Sequence, residues 1–345
     1  MNPALWLYRG LGPANPRLRA ALARFGSPEA VWQRGREDGF FTERERVRLF
    51  SRDPVDEPPF SRRALCWGGE DYPARLTALP DPPGFLLCEG DPAALTGPAV
   101  TVAGARTPDA YGADCARAFG RALAQGGAAV VAGVAYGVDQ AALEGALSAG
   151  GRAVAVLPAG FGHLAPAGCR DLCERIVRAG GAVVSEHPDD CPVTRQAYHQ
   201  RARLLAALGD RLFVPQCAQK SGAHLAAAAA RALQKPVYAL PGDVRTPFAA
   251  GFWRLLQEGG QVCVYPRQLL DHPQEEAAVP PPSPRGEPSG PAGAVLALLR
   301  AGPAPLEEIL AGVQAPPPAV LAALSGLELA GQIARGLDGR YRRVL

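Results

Sequence analysis

Two successive units of one design occupy residues 99–139, and they constrain the fold more than any other stretch. An apolar run, Val100-Thr101-Val102-Ala103, stops at Gly104-Ala105-Arg106, and an apolar-periodic segment follows from about Asp109 to Gln125. A second run, Ala128 to Ala132, leads into a second glycine turn, Gly133-Val134-Ala135-Tyr136-Gly137-Val138-Asp139. Short apolar runs read as buried strands and 3.6-residue spacing as helix, so the pattern is strand, turn and helix twice over. In doubly wound sheets ligands bind at such turns. Glycine lets backbone N–H groups close on an anion, and each helix N-terminus adds partial positive charge. Arg106 adds a fork of donors suited to phosphate. The stretch predicts a phosphate-binding floor.

The alternation continues. Apolar runs recur at Ala153–Leu157, Ala182–Ser185, Arg211–Pro215, Pro236–Leu240 and Gln261–Val264, with room for helices of roughly 10 to 18 residues between them. This predicts an α/β fold, a Rossmann-like doubly wound and mostly parallel sheet covered on both faces. Around it the chain divides into four stretches. Residues 1–65 are expected to form a small helical domain of the SAM or helix-hairpin-helix kind. There Ser27-Pro28 reads as a cap with proline at the first helical position, and Thr42…Glu45 as a capping box. Residues 66–271 form the extended Rossmann-like domain and 272–293 a Pro-rich linker. Residues 294–345, three helices and a hairpin around Leu337-Asp338, follow a winged-helix order.

The 36 basic residues comprise 34 Arg and two Lys, Lys220 and Lys235, and the net charge is only +3. Residues 96–265 carry 16 basic against 12 acidic groups, an excess compatible with a basic groove. The eight cysteines show no C-x-x-C spacing, so neither a metal nor structural disulfides are expected. Arg9, Arg17 and Arg19 interrupt the short apolar start, and no run reaches membrane-spanning length. A cytoplasmic protein is expected.

In their order and spacing these residues resemble the DNA-processing protein A (DprA/Smf) family over nearly the whole chain. Val102-Ala103-Gly104-Ala105-Arg106 stands where that family has V-G-S-R, and Ala132–Asp139 where it has S-G-x-A-x-G-x-D. Val156-Leu157-Pro158-Ala159-Gly160, Ser185-Glu186, Ser221-Gly222 and Pro241-Gly242 follow in the family's order. The chain departs from it where Tyr136 replaces a frequent Arg and Leu143 a frequent His. Arg201-Ala202-Arg203 stands for R-N-R, Ala165-Pro166 for Tyr-Pro, and Gly251-Phe252-Trp253 for G-x-N. The resemblance implies a non-enzymatic, cofactor-free binder of single-stranded DNA in natural transformation. It further implies a homodimer, paired through the Rossmann-like domain, that hands the strand to RecA recombinase.

Single-strand binding needs cations for phosphates and apolar or aromatic faces for bases. Arg106, Arg201 and Arg203 supply charge. The turns at Gly104, Gly133, Gly137, Gly160 and Gly222 offer N–H groups, and Lys220-Ser221-Gly222 precedes an Ala-rich helix as a further anion site. Phe161 or His163 is placed to stack a base, and Tyr136 to reach into the groove. Against these readings stand core packing for Phe161 and ion pairs with Glu186 or Asp189 for the two arginines of the Arg201–Arg203 segment. Asp139 is expected to cap its helix rather than to do chemistry. The rival class is a nucleotide-binding enzyme of the phosphoribohydrolase-like type. However, Gly104-Ala105-Arg106-Thr107-Pro108 breaks the G-x-G-x-x-G pattern, and Pro241-Gly242-Asp243-Val244-Arg245-Thr246 breaks the P-G-G-x-G-T pattern.

Overall fold

A computed structural model describes residues 1–166, 168–270, 290–300, 302–329, 332–336 and 339–343. They fall into two compact units. Most of the expected linker, and the hairpin turn at Leu337-Asp338, lie outside the described residues. Among the described residues no helix is long and apolar enough to cross a membrane.

The first unit opens with four short helices, α1 (Pro3–Leu11), α2 (Pro16–Phe25), α3 (Pro28–Arg34) and α4 (Glu43–Phe50). Their ends follow from local chemistry. The Ser27 hydroxyl accepts from the Ala30 N–H at 3.2 Å, and Thr42 and Glu45 form a reciprocal capping box. Trp6 is their anchor, with its ring 5.2 Å from that of Trp32 and its indole N–H donating to Leu49 O at 2.8 Å. The helices pack onto the sheet. Tyr8 lies 5.4 Å from Phe85, its hydroxyl is hydrogen-bonded to His187 Nδ1 at 2.7 Å, and Arg9 pairs with Glu57 and Asp190.

The sheet has nine strands. β1 (Arg63–Cys66) and β2 (Phe85–Gly90) form an antiparallel edge, and β1 begins inside the stretch expected to be helical. The parallel strands then alternate with helices: β3 (Ala99–Val102), α5 (Ala110–Gln125), β4 (Ala129–Ala132), α6 (Val138–Ser148), β5 (Ala153–Val156), α7 (Cys169–Arg178) and β6 (Ala182–Ser185). After them come α8 (Arg195–Leu208), β7 (Arg211–Val214), α9 (Ala223–Ala232), β8 (Val237–Ala239), α10 (Ala249–Gln257) and β9 (Gln261–Val262). Spatial order is β1-β2-β6-β5-β4-β3-β7-β8-β9, with β2 antiparallel to β6 and every pair from β6 to β9 parallel. Strands β3 to β6 are buried at every residue, which is why they read as unbroken apolar runs. The polar exceptions are Thr101, whose hydroxyl donates to Leu205 O at 2.6 Å and ties β3 to α8, and Ser185, whose hydroxyl donates to Ala159 O at 2.8 Å, so neither leaves an unmet hydroxyl. From β3 the chain winds outward to β4, β5 and β6, then returns to place β7 on β3's other side. The order therefore reverses between β3 and β7.

The second unit contains α11 (Pro291–Leu298), α12 (Leu306–Gly312), α13 (Pro317–Leu329) and the hairpin β10 (Ile333–Arg335) and β11 (Tyr341–Arg343). Its core is built from Val295, Leu296, Ile309, Val320, Leu324, Leu327, Ile333 and Tyr341.

Candidate nucleic-acid interface

The reversal of strand order opens a crevice at the C-terminal ends of β3 and β7, the place where such sheets hold ligands. Here it is a cleft of about 670 Å³. Its walls are the turn after β3 (residues 103–107), the start of α6, one face of α8, and the turn leading into α9.

The two glycine turns lie backbone to backbone. Val138 N–H donates to Ala105 O at 3.1 Å. Gly137 adopts φ +86°, and a Cβ there would collide with the carbonyl oxygens of Ala105 and Arg106. Only glycine satisfies both conditions. A Cβ on Gly133 would strike the Arg201 guanidinium and the Asp139 carboxylate, so this glycine makes room for a buried ion pair.

That pair forms the floor. Arg201 Nη2 and Asp139 Oδ2 are 3.8 Å apart, and both side chains are buried. The expected cap is corrected here. Gly137 is the N-cap of α6, and Asp139, the second helical residue, turns inward to accept from the backbone N–H groups of Gly104 and Ala135. Burial pushes the Asp139 carboxyl up to about 6, against the opposing pull of Arg201, those N–H groups and Arg106. Burial likewise lowers the Arg201 pKa, while Asp139 opposes the shift. Arg201 Nη1 donates to Val156 O at 3.4 Å, and its Nε has no partner among the described residues.

Above the floor, the Tyr198 ring is shared by two cations, with Arg106 4.7 Å and Arg201 5.2 Å from its centroid. Arg106 is exposed, and among the described residues no carboxylate lies within ion-pair distance of it. Lys220, Ser221 and Gly222 line the opposite wall, where α9 begins at Ala223 and the Ser221 hydroxyl accepts from the Ala223 N–H at 3.3 Å. Sequence reasoning missed a further part of the wall. Thr194, Arg195 and His199, from the first turns of α8, face the same cleft. The Thr194 hydroxyl caps that helix, accepting from Ala197 N–H at 3.0 Å. A threonine ahead of an apolar-periodic run was the available signal, and it places Arg195 at a helix start.

The cleft thus gathers Gly104, Arg106, Arg201, Lys220, Ser221 and Gly222, with Gly133 and Gly137 supporting it from behind. Arg203 does not belong to it. It is clamped between Asp81 at 2.9 Å and Glu186 at 2.7 Å, with its side chain 11% exposed. Its partners satisfy it, and its helical position turns it from the cleft. Gly160, Phe161 and His163 form a separate turn after β5. Phe161 is 4% exposed beneath the Arg62 guanidinium, so its ring is core rather than a base platform. A Cβ on Gly160 would collide with Pro188 O. His163 is exposed. Tyr136 is 55% exposed and makes no ring contact with Tyr198; its hydroxyl approaches Gly168 instead.

The chain matches known protein families along most of its length. Residues 63–273 match the family model of DNA recombination-mediator protein A, and residues 279–339 that of the DprA winged helix domain. The chain belongs to the DNA recombination-mediator protein A family. Protein Smf of Escherichia coli is 31% identical over 306 residues, covering 81% of this chain and 80% of that one. The DNA processing protein DprA of Bacillus subtilis is 29% identical over 193 residues, covering 56% and 65%. Among solved structures, DNA processing protein A of Helicobacter pylori, described for its single-stranded DNA binding mode, is 30% identical. It superposes with a TM-score of 0.54 over 61% of this chain and 94% of that one. The Streptococcus pneumoniae DprA structure shares the fold at TM-score 0.69 and 23% identity, over 80% and 99%.

Proposed function

We propose that this chain is a non-enzymatic single-stranded DNA binder of natural transformation and recombination, and that the cleft at the β3–β7 reversal is where the strand lies. Three cations, Arg106, Arg195 and Lys220, line that cleft without a carboxylate partner among the described residues, and this observation carries the reading. They stand beside two glycine turns and the start of α9, all donors of the kind phosphates take. The half-buried Tyr198 ring, already stacked by two guanidinium groups, offers a flat surface next to them. The protein acts in the cytoplasm as a homodimer, protects incoming strands and passes them to RecA recombinase. Membership of a recombination-mediator family supports the role in recombination, and the single-stranded DNA binding of the Helicobacter pylori relative supports the choice of ligand.

The test is a fluorescence-anisotropy titration of labelled oligo-dT at several salt concentrations, with a duplex competitor. Three or four cation–phosphate contacts predict a slope of log K against log salt of roughly −2 to −3. Absence of binding, or equal binding of single strand and duplex to the cleft, overturns the reading.

A further inference from the structure

Beside the cleft lies a second cavity, of about 340 Å³, at the C-terminal ends of β7 and β8. Its floor is apolar and buried, formed by Val214, Leu240 and Leu255. Its walls are aromatic. Tyr111 comes from the first turn of α5, Phe248 stands at the N-cap of α10, and Phe252 and Trp253 come from α10 itself. Tyr111 and Trp253 are 49% and 59% exposed and share this one cavity, so they belong to a patch rather than being isolated surface rings. The Tyr111 hydroxyl donates to Pro241 O at 2.8 Å, which holds its ring in place.

The two spaces adjoin and differ in character. Phe248 lines both, and the turn after β7 runs between them, with Gln216 and Cys217 on the cavity and Ala218, Lys220 and Ser221 on the cleft. Among the described residues no charged side chain lines the cavity, whereas Arg106, Arg195 and Lys220 line the cleft. A polar group remains at the cavity's edge. Gln216 Oε1 accepts from Asp109 N–H at 3.0 Å, which leaves the amide N–H donors of that side chain for another acceptor.

We propose that this cavity receives a base of the single strand whose phosphates lie in the cleft, with Phe248 as the ring on which that base stacks. The proposal rests on the reading of the cleft as the strand's site. A nucleotide has an anionic end and a flat, uncharged end, and the adjoining spaces divide in the same way. The cavity falls within the roughly 300–1,000 Å³ of small-ligand sites. Every base has a π-face, so ring-lined walls take any of them, and the cavity holds the strand without reading its sequence. An apolar side chain of a protein partner is less well matched, because it would fill the cavity and leave the neighbouring cations unanswered.

The experiment titrates the full chain with labelled oligo-dT and with an abasic strand of the same length, which keeps every phosphate and lacks every base. Phe248→Ala should weaken oligo-dT binding about tenfold, the scale of one stacked base, and leave the abasic strand within about twofold of the parent. Phe248→Tyr keeps the ring and should restore most of the oligo-dT affinity. In parallel, oligonucleotides carrying 5-iodo-deoxyuridine are irradiated on the parent protein and the crosslinks mapped by mass spectrometry. Crosslinks are expected at Phe248, Tyr111 or Trp253. Crosslinks confined to Tyr198 overturn the proposal, and so does an equal loss of both strands in a folded Phe248→Ala variant. The crosslinking arm decides the matter even where Phe248→Ala does not fold. Failure of the cleft reading looks different, because Arg106→Ala would then leave the affinity for both strands unchanged.

Discussion

Helix α8 carries two arginines two residues apart, Arg201 and Arg203, and the protein uses them in opposite ways. At about 100° per residue they point to nearly opposite sides of the helix. One side joins the floor of the cleft, where Arg201 meets a single carboxylate at 3.8 Å and keeps an unsatisfied Nε. The other side faces β6 and the lead-in turn, where Arg203 is held by Glu186 and Asp81 with five-donor geometry well used. An under-satisfied cation beside a cavity has interaction capacity left for a ligand. A fully paired one has spent it on the fold.

The comparison breaks most visibly on the structural side. Arg203→Ala leaves Glu186, 2% exposed at its side chain, buried without its counter-charge. A loss of about 3–5 kcal/mol is expected. Chemical denaturation should show it, while the folded fraction keeps its oligo-dT affinity. Phe161→Ala, on the separate turn after β5, should cost a similar ~3–5 kcal/mol by opening a cavity under Arg62. If Phe161→Ala instead lowered single-strand affinity at unchanged stability, the assignment of that ring to the core would be wrong.

The same two arginines show what can be read from a sequence and what cannot. Buried parallel strands and glycine turns announce themselves through composition, so the sheet and the location of the cleft were legible to within a residue or two at most strands. The caps at Ser27 and Thr42 were equally legible because they depend on neighbours three residues away. Arg201 and Arg203 look alike in a linear reading: Glu186 was in view as a partner for either, and only the fold brings in Asp139 and Asp81, 62 and 122 residues away. Asp139 resembled a cap for the same reason. The position fits, and only the approach of Arg201 shows the carboxylate turned inward. Arg195 was overlooked because its significance comes from the wall it joins.

On the binding side the largest single effect belongs to Arg106. Its replacement by Ala removes an exposed, charge-assisted contact worth about 1.5–3 kcal/mol, a ten- to hundredfold loss of single-strand affinity. The salt slope should become shallower by about 0.7, with unfolding midpoint unchanged. A lowered midpoint with an unchanged slope would instead make Arg106 a structural residue, like Arg203.

The smallest effect sharpens the comparison from the other member of the floor pair. The Asp139 carboxyl is raised from 3.8 to about 6, so the folded protein binds this proton more readily than the unfolded chain does. Its stabilising contribution is therefore complete below pH 3.8 and is lost as pH rises through about 6. Other carboxylates titrate in the same window, so the informative quantity is the difference between parent and Asp139→Asn across pH 4 to 7, which should carry that slope. Protonation also frees Arg201 from its counter-charge and adds one positive charge beneath the strand. At an effective dielectric of ~20 and ordinary ionic strength, one charge about 10 Å from a phosphate amounts to roughly a two- to threefold gain. Single-strand affinity should rise by that factor as pH falls through 6, and Asp139→Asn should abolish the rise. A parent protein with flat affinity between pH 5 and 7.5 would show that the floor pair is sealed from the strand, leaving only the rim cations to bind it.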